Sequence, residues 1–380
     1  MNRRAFLQAG GSAALGAAIG GCAPRATPLT APRPTMRRRP LDLVPADVSM
    51  DRIIRTTVGL RPHRDSGFVL KAEALDDKTV IHNYGHGGAG MSLSWGTAAL
   101  AADLALAHTE RRAAVIGCGI VGLTSARQLQ RRGFDVTIYT MAVPPDTTSN
   151  MSWAGFTPMS ALVSPERRTP EWDDQFRRAV AIAYREHQLL TGSRYGVSWL
   201  NEYTLLRAAP GANAPAAGTA PATTPLLPSA VELGQVVFGP GEHPFPSEYA
   251  AERPVMRFEP SIYLDALVHD VVTFGARIVV RTFDTPRDLM TLPETLVVNC
   301  TGLGAKKLFG DDELVPIKGQ LTVLVPQPEV TYTLGGMLPR SDGVVLGHIS
   351  QRGVSTLDVD EDAQQRIVER HMAIFGAMKS

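Results

Sequence analysis

The spacing of apolar residues changes character along the chain, and each change predicts a different element. An Ala/Gly-rich apolar run from Ala9 to Gly21 opens it, and residues 23–45 then lose all periodicity in a Pro/Arg/Thr-rich stretch that reads as an extended tether. From Arg112 to Val115 a short apolar run enters a glycine-rich turn, Gly117-Cys118-Gly119-Ile120-Val121-Gly122, which predicts a buried strand. Leu123 to Arg131 follows with helical spacing, and Phe134 to Tyr139 reads as the next strand. Residues 208–230 are again aperiodic, a low-complexity insertion that decorates a surface loop.

Composition narrows this picture. A chain of 380 residues with 44% apolar content can bury a large core and suggests two interleaved domains. Its 38 basic residues face 37 acidic ones, so no broad positive field argues for nucleic acid, and small metabolites are the expected partners.

The opening run is an address rather than fold. Arg3-Arg4-Ala5-Phe6-Leu7 is a twin-arginine start, and Ile19-Gly20-Gly21-Cys22 resembles a bacterial lipobox. The apolar stretch is shorter than the roughly 20 residues that span a bilayer. Residues 1–22 are therefore expected to be an export signal, with Cys22 lipidated and the protein membrane-anchored on the periplasmic or outer face of a bacterial envelope. The twin-arginine route carries folded proteins, which suits a chain that must capture a cofactor before export. Cys118 and Cys300, with no evident disulfide partner, read as small buried filler.

The strand, glycine loop and helix form a dinucleotide fingerprint. Gly117 permits the tight turn, Gly119 lets the backbone approach a pyrophosphate, and Gly122 allows close strand–helix contact. The helix N-terminus, beginning at Ile120, offers unpaired N–H groups to phosphate. At the end of the second strand, where a ribose-binding carboxylate is expected, stand Thr140 and Met141. Thr140 offers one hydroxyl and Met141 no strong polar group, so weakened retention of the nucleotide is expected.

Several further segments agree with one another in cyclic order. These are Asp51 to Pro62, ending in Gly59-Leu60-Arg61-Pro62; His82-Asn83-Tyr84-Gly85-His86-Gly87-Gly88-Ala89-Gly90, with a closing helix through Trp95-Gly96; and Thr147-Thr148-Ser149-Asn150. Val298-Asn299-Cys300-Thr301-Gly302, Lys318-Gly319-Gln320 and a C-terminal helix from Asp360 to Lys379 complete the set. Together with the fingerprint they resemble the D-amino acid oxidase family of FAD-dependent oxidoreductases. In that family the fingerprint opens the chain and the His82–Gly90-like stretch closes it. The order here resembles a circular permutation, with its cut between Ser380 and the region of Met50.

The resemblance implies an α/β fold: a doubly wound, Rossmann-like FAD-binding domain and a mixed, largely antiparallel substrate sheet. Residues 46–189 and 283–315 would build the first, and 190–282 with 316–360 the second, leaving 361–380 as the closing helix. It implies that Gly87, Gly88, Gly90, Met91 and Ser92 surround the isoalloxazine, where amides can stabilise reduced flavin. Thr147, Thr148 and Ser149 would lie near the pyrophosphate and ring, and Phe283, Cys300, Thr301 and Gly302 beside the nucleotide half. Arg61 would grip a substrate carboxylate with its planar fork, while Arg64 braces the fold. Tyr332 matches a lid tyrosine, Gly336 stands where a second tyrosine is usual, and His348 could supply a new polar contact.

The implied activity is oxidation of a D-amino acid or related amine-bearing carboxylate by hydride transfer to flavin N5, without a general base, and with oxygen as acceptor. A membrane-anchored dehydrogenase passing electrons to quinone, and a non-catalytic envelope ligand-binding protein on the same scaffold, are the alternatives.

Overall fold

The computed structural model describes residues 39–209 and 226–379. The elements run β1 (Ile53–His63), β2 (Val69–Leu75), β3 (Lys78–Tyr84), α1 (Gly90–Ala105), β4 (Arg112–Ile116), α2 (Ile120–Gln130), β5 (Asp135–Thr140) and α3 (Pro170–Leu189). They continue through β6 (Val197–Leu206), β7 (Val236–Phe238), β8 (Tyr249–Phe258), α4 (Pro260–Thr273), β9 (Arg277–Val280), α5 (Pro286–Leu289), β10 (Leu296–Asn299) and α6 (Gly304–Phe309). The last are β11 (Val315–Leu324), β12 (Tyr332–Leu334), β13 (Met337–Arg340), β14 (Gly343–Arg352) and α7 (Glu361–Gly376). The predicted strand–helix–strand unit is thus present as β4, α2 and β5.

Two sheets organise these elements. A six-stranded sheet has the order β2-β3-β10-β4-β5-β9, parallel except for the β2–β3 hairpin. Its central strands carry apolar residues on both faces, as a sheet covered twice requires. Val115, Val136, Ile138 and Val298 meet α1, α2, α3 and α4 on one side. Ala114, Ile116, Tyr139 and Val297 meet Leu289 and Leu292 on the other. The second sheet has eight strands in the order β1-β11-β14-β13-β12-β6-β8-β7, antiparallel except where β6 joins β12. The expected pairing of a doubly wound domain with a mixed substrate sheet is therefore the observed fold.

The helices follow local rules. Thr169 caps α3 by accepting from the Trp172 amide at 3.2 Å, with Pro170 in the first turn. Asp360 caps α7 in the same way, accepting from Ala363 N at 2.9 Å. Ala363, Ile367, Val368, His371 and Phe375 then form the buried stripe of α7 at helical spacing.

Strand pairing corrects several segment boundaries. β1, expected within the FAD-binding part, pairs along its length with β11 and belongs to the eight-stranded sheet. Conversely α4 packs on α2 and β9 pairs with β5, so residues 260–280 belong with the nucleotide sheet rather than the substrate domain. The tether ends earlier than Pro45: Leu41 and Leu43 pack on the second core, and Leu41 N donates to Glu242 O at 2.9 Å. Likewise Leu226 and Leu227, within the low-complexity insertion, pack against the main core. In both places an apolar pair beside polar sequence found a hydrophobic surface that aperiodicity alone did not reveal.

Candidate active site

The nucleotide end forms where β4 turns into α2. Gly117 adopts φ +112°, and a Cβ there would lie 2.6 Å from the Cys300 carbonyl oxygen. A Cβ on Gly122 would stand on the Gly117 carbonyl, well inside van der Waals contact, so only glycine lets this helix approach its strand. The first turn of α2 holds no acidic residue and no side-chain cap, which leaves its positive end open to an anion. Ile120 N donates instead to Ser149 Oγ at 3.0 Å, a single hydroxyl standing where phosphate oxygens would be received. The cradle therefore has a shape that fits a pyrophosphate, with the Ser149 hydroxyl at the first amide of the helix.

Other expected nucleotide neighbours are committed elsewhere. Thr140 donates to Ala142 O at 2.6 Å and is buried, and Met141 is 77% exposed, so neither replaces the missing carboxylate. Thr147 donates to Asn150 Oδ1 at 2.8 Å, and Thr301 to Asn299 Oδ1 at 2.8 Å; both hydroxyls shape turns. Thr148 backs onto Gly59 of β1. Phe283 meets Tyr139 edge-on at 6.0 Å, flanking the end of β5. Gly302 takes φ +57° against Pro62. Burial pushes the Cys118 and Cys300 thiols up to about 12, which keeps them protonated and inert, as filler should be.

The ring end is built by the glycine run between β3 and α1. Its amides are not free: Gly87 N donates to Pro62 O at 2.8 Å and Gly88 N to Ser160 O at 2.9 Å. Stabilisation of reduced flavin by these amides is thus not supported. A side chain at Gly87 would strike the Ala161 carbonyl, and one at Gly88 would meet Ser160 at 2.7 Å. The glycines serve to seat the loop of residues 152–164. Ser92 does the same work, since its buried hydroxyl accepts from Thr157 N at 2.8 Å. Met91 is buried in the core of α1, and Gly90 starts that helix against Ile120.

Arg61 shows why β1 belongs to the eight-stranded sheet. It projects from β1 over Gly319 of β11, where a Cβ would come within 2.5 Å of its Nη1, while its Cδ lies beside Gly88. Nη1 is buried and has no hydrogen-bond partner. Desolvation pulls its pKa downward, with no nearby charge opposing it. Arg64, by contrast, is fully engaged, with Nε 2.8 Å from Asp311 and Nη2 2.6 Å from Glu313, and braces the fold.

One substrate-side expectation changes. Tyr332 is no lid: it is 1% exposed in the second core, donates to Val44 O at 3.0 Å, and burial raises its pKa. A parallel partner strand, β6, holds it there beside Tyr203 and Phe245. His348 stands on β14, but its side chain lies outside the described residues, as does Cys22. Sequence reading missed Ser160 and Trp153, and gave Gly319, within Lys318-Gly319-Gln320, no role at the site. The indole of Trp153 covers Gly347 and Leu321 on the face that carries Arg61. Only the β1–β11–β14 register could have brought these together.

A family model described as FAD dependent oxidoreductase matches residues 6–104 and 112–379. The chain belongs to that family. A D-amino-acid oxidase of Rubrobacter xylanophilus is 28% identical over 277 residues, covering 69% of this chain and 77% of its own. The D-aspartate oxidase of Homo sapiens is 27% identical over 278 residues, covering 69% and 75%. The fold is shared with glycine oxidase from Geobacillus kaustophilus, at a TM-score of 0.52 and 16% identity over 71% of this chain and 80% of that one. The chain is thus an FAD-dependent oxidoreductase whose β4–α2 turn has the shape of a dinucleotide cradle.

Proposed function

We propose that this oxidoreductase oxidises a D-amino acid or a related amine-bearing carboxylate, with dioxygen as the electron acceptor. Arg61 carries the reading. A buried guanidinium nitrogen without an acceptor costs about 1–3 kcal/mol, and a substrate carboxylate would recover that cost. FAD, when bound, supplies the acceptor for a hydride. The chain's own part is orientation: Arg61 fixes the carboxylate, Gly319 and Gly88 hold Arg61, and the loop of residues 152–164 shields the site from water. The substrate loses hydride from Cα and a proton from its amine, and the resulting imino acid hydrolyses in water. The relatives' names, D-amino-acid oxidase and D-aspartate oxidase, support this substrate class.

The same reading includes a permuted order. Support comes from a two-part family match and from a local match of 55% identity over 60 residues to D-aspartate oxidase of Talaromyces thermophilus, covering 16% of each chain. In addition, the Tyr332 hydroxyl meets both Val44 O and Met378 Sδ, the latter at 3.6 Å. The two stretches that the family order would join thus already meet. Export by the twin-arginine route and lipidation at Cys22 complete the proposal, resting on Arg3-Arg4 and Ile19 to Cys22. Among the described residues no helix is long and apolar enough to cross a membrane.

The test is an absorption spectrum of leaderless protein, followed anaerobically while D- and L-amino acids are added. Bleaching of the flavin bands by D-isomers, then recovery on admitting oxygen, is the expected result. Flavin that no amine-bearing carboxylate bleaches would sink the proposal.

A further inference from the structure

The end of β1 carries a second buried side chain besides Arg61. His63 follows two residues later on the same face of the strand, is 5% exposed, and sits between two acceptors. Its Nδ1 is 2.8 Å from the Ala161 carbonyl oxygen and its Nε2 is 3.1 Å from Asp65 Oδ1. A neutral imidazole has one N–H and one lone pair, so it serves only one of these oxygens. Both bonds form when the ring carries two protons. Asp65 stays charged opposite it: hydrogen bonds from Ser164 and then from His63 hold its carboxyl down to about 2. Arg352 of β14 pairs with the other Asp65 oxygen at 2.8 Å. Arg64, between the two in sequence, is turned to Asp311 and Glu313.

The other partner of His63 belongs to a strained segment. Ala154 and Ala161 take φ +63° and +44°, left-handed conformations that a residue with a Cβ keeps only where its surroundings hold it. Between them residues 155–160 form a strap. Phe156 N donates to Met256 O at 2.9 Å and Thr157 N to Ser92 Oγ at 2.8 Å, while Met159 is exposed. At the far end Ser160 O accepts from Gly88 N at 2.9 Å. The space that a Gly88 side chain would fill is bounded by Ser160 Oγ and by Arg61 Cδ. The strap thus ends against Arg61, and the bond from His63 to Ala161 ties that end to β1.

We propose that His63 is a positioning residue for the Arg61 site: through Ala161 it fastens the strap over that site, and does so fully only while its ring carries both protons. Loss of one proton frees one of the two bonds, and the strain at Ala161 then favours release. The role of the covered site rests on the carboxylate reading of Arg61, whereas the fastening rests on the geometry of His63, so each can fail alone.

Hydrogen exchange of the FAD-loaded, substrate-free protein, read by mass spectrometry, tests it. Protection of peptides within residues 152–164 should fall about tenfold in His63→Gln, the scale of one lost hydrogen bond, while β4–α2 peptides keep theirs. Corrected for intrinsic rates, wild-type protection of the same peptides should also fall between about pH 5 and about pH 9, and His63→Gln should lose that dependence. Adding Ala161→Gly, which removes the left-handed strain, should restore part of the protection. In turnover His63→Gln should raise KM about tenfold and change kcat less. Exchange no faster in His63→Gln than in wild type, wild-type protection that does not fall with pH, or a loss spread equally to the β4–α2 peptides would overturn the proposal. The expected exchange in a protein whose flavin no amino acid bleaches would remove the substrate reading and support the fastening.

Discussion

The two sheets each bury an unmet polar atom, Asn83 Oδ1 in the six-stranded sheet and Arg61 Nη1 in the eight-stranded one, but they differ in how the groups around it are used. In the six-stranded sheet the polar atoms near the cradle are largely spent on protein partners: Ile120 N on Ser149, Thr301 on Asn299, His82 on Glu73 and Asn299. In the eight-stranded sheet Arg61 keeps a buried donor unspent above a bare glycine. The first arrangement preserves the shape of a dinucleotide cradle. On the proposed reading, the second leaves a demand that a transient carboxylate would meet, as turnover of a substrate requires.

The largest expected effect would break this contrast at its sharpest point. Arg61→Met should lower amino-acid-dependent flavin reduction by about a thousandfold, the scale of losing two charge-assisted bonds. Because Nη1 has no protein partner, the same change should leave the melting temperature unchanged or slightly raised. Stopped-flow reduction and thermal denaturation on one preparation would check both. A large drop in stability would mean that Arg61 is a brace like Arg64.

Acid should attack the FAD-binding side first. Burial pushes His86, which adjoins the ring-side glycines, down to about 3, and His187 under α1 down to about 4. Both are neutral in the folded protein at pH values where they would be charged once unfolded. Their contribution is therefore undiminished above an unfolded pKa of about 6.5 and falls as pH drops below it, by about 1.4 kcal/mol per unit for each. The protein should be about 4 kcal/mol less stable at pH 5 than at pH 7.5, measured by denaturant midpoints. His86→Gln should flatten part of that slope, since glutamine can still meet Thr97 Oγ1, the 3.0 Å partner of His86, without gaining a proton.

Gly122→Ala tests the cradle. The added methyl would collide with backbone, which cannot rotate away, so a loss of about 3 kcal/mol and release of FAD are expected. Gly119→Ala should be far milder, because its Cβ would face only the Ser149 hydroxyl, at 3.1 Å. Equal effects in a flavin-retention assay would show that the helix does not depend on its close approach to β4.

Much of the nucleotide side was legible because its chemistry is local in sequence. Gly117 to Gly122, the flanking strand and helix, and the missing acid after β5 all fall within one short segment, where spacing reports structure directly. Arg61 was legible only as a motif. Its seat on Gly319, its neighbour Trp153 and the displacement of Tyr332 into a core depend on register between strands far apart in the chain. A register shift of one residue would turn those side chains to the other face, and no local pattern records which register is taken. The glycines at 87 and 88 were noticed for their small size, but not for the chain segment that needs it. They admit Ala161 and Ser160 of this chain rather than offering free amides.

The smallest effect is the most discriminating. Gly319 touches neither the cradle nor the ring-side glycines, yet a methyl there would come within 2.5–2.6 Å of the Arg61 guanidinium and push it aside. Strand geometry tolerates alanine at this position, so the fold should survive with FAD affinity unaltered. Displacing a charge-assisted partner by about an ångström should raise KM for the amino acid about tenfold while changing kcat less. If Gly319→Ala instead lowered flavin retention and left KM alone, the two ends of the assembly would be coupled through β11, and the division of labour between the sheets would have to be abandoned.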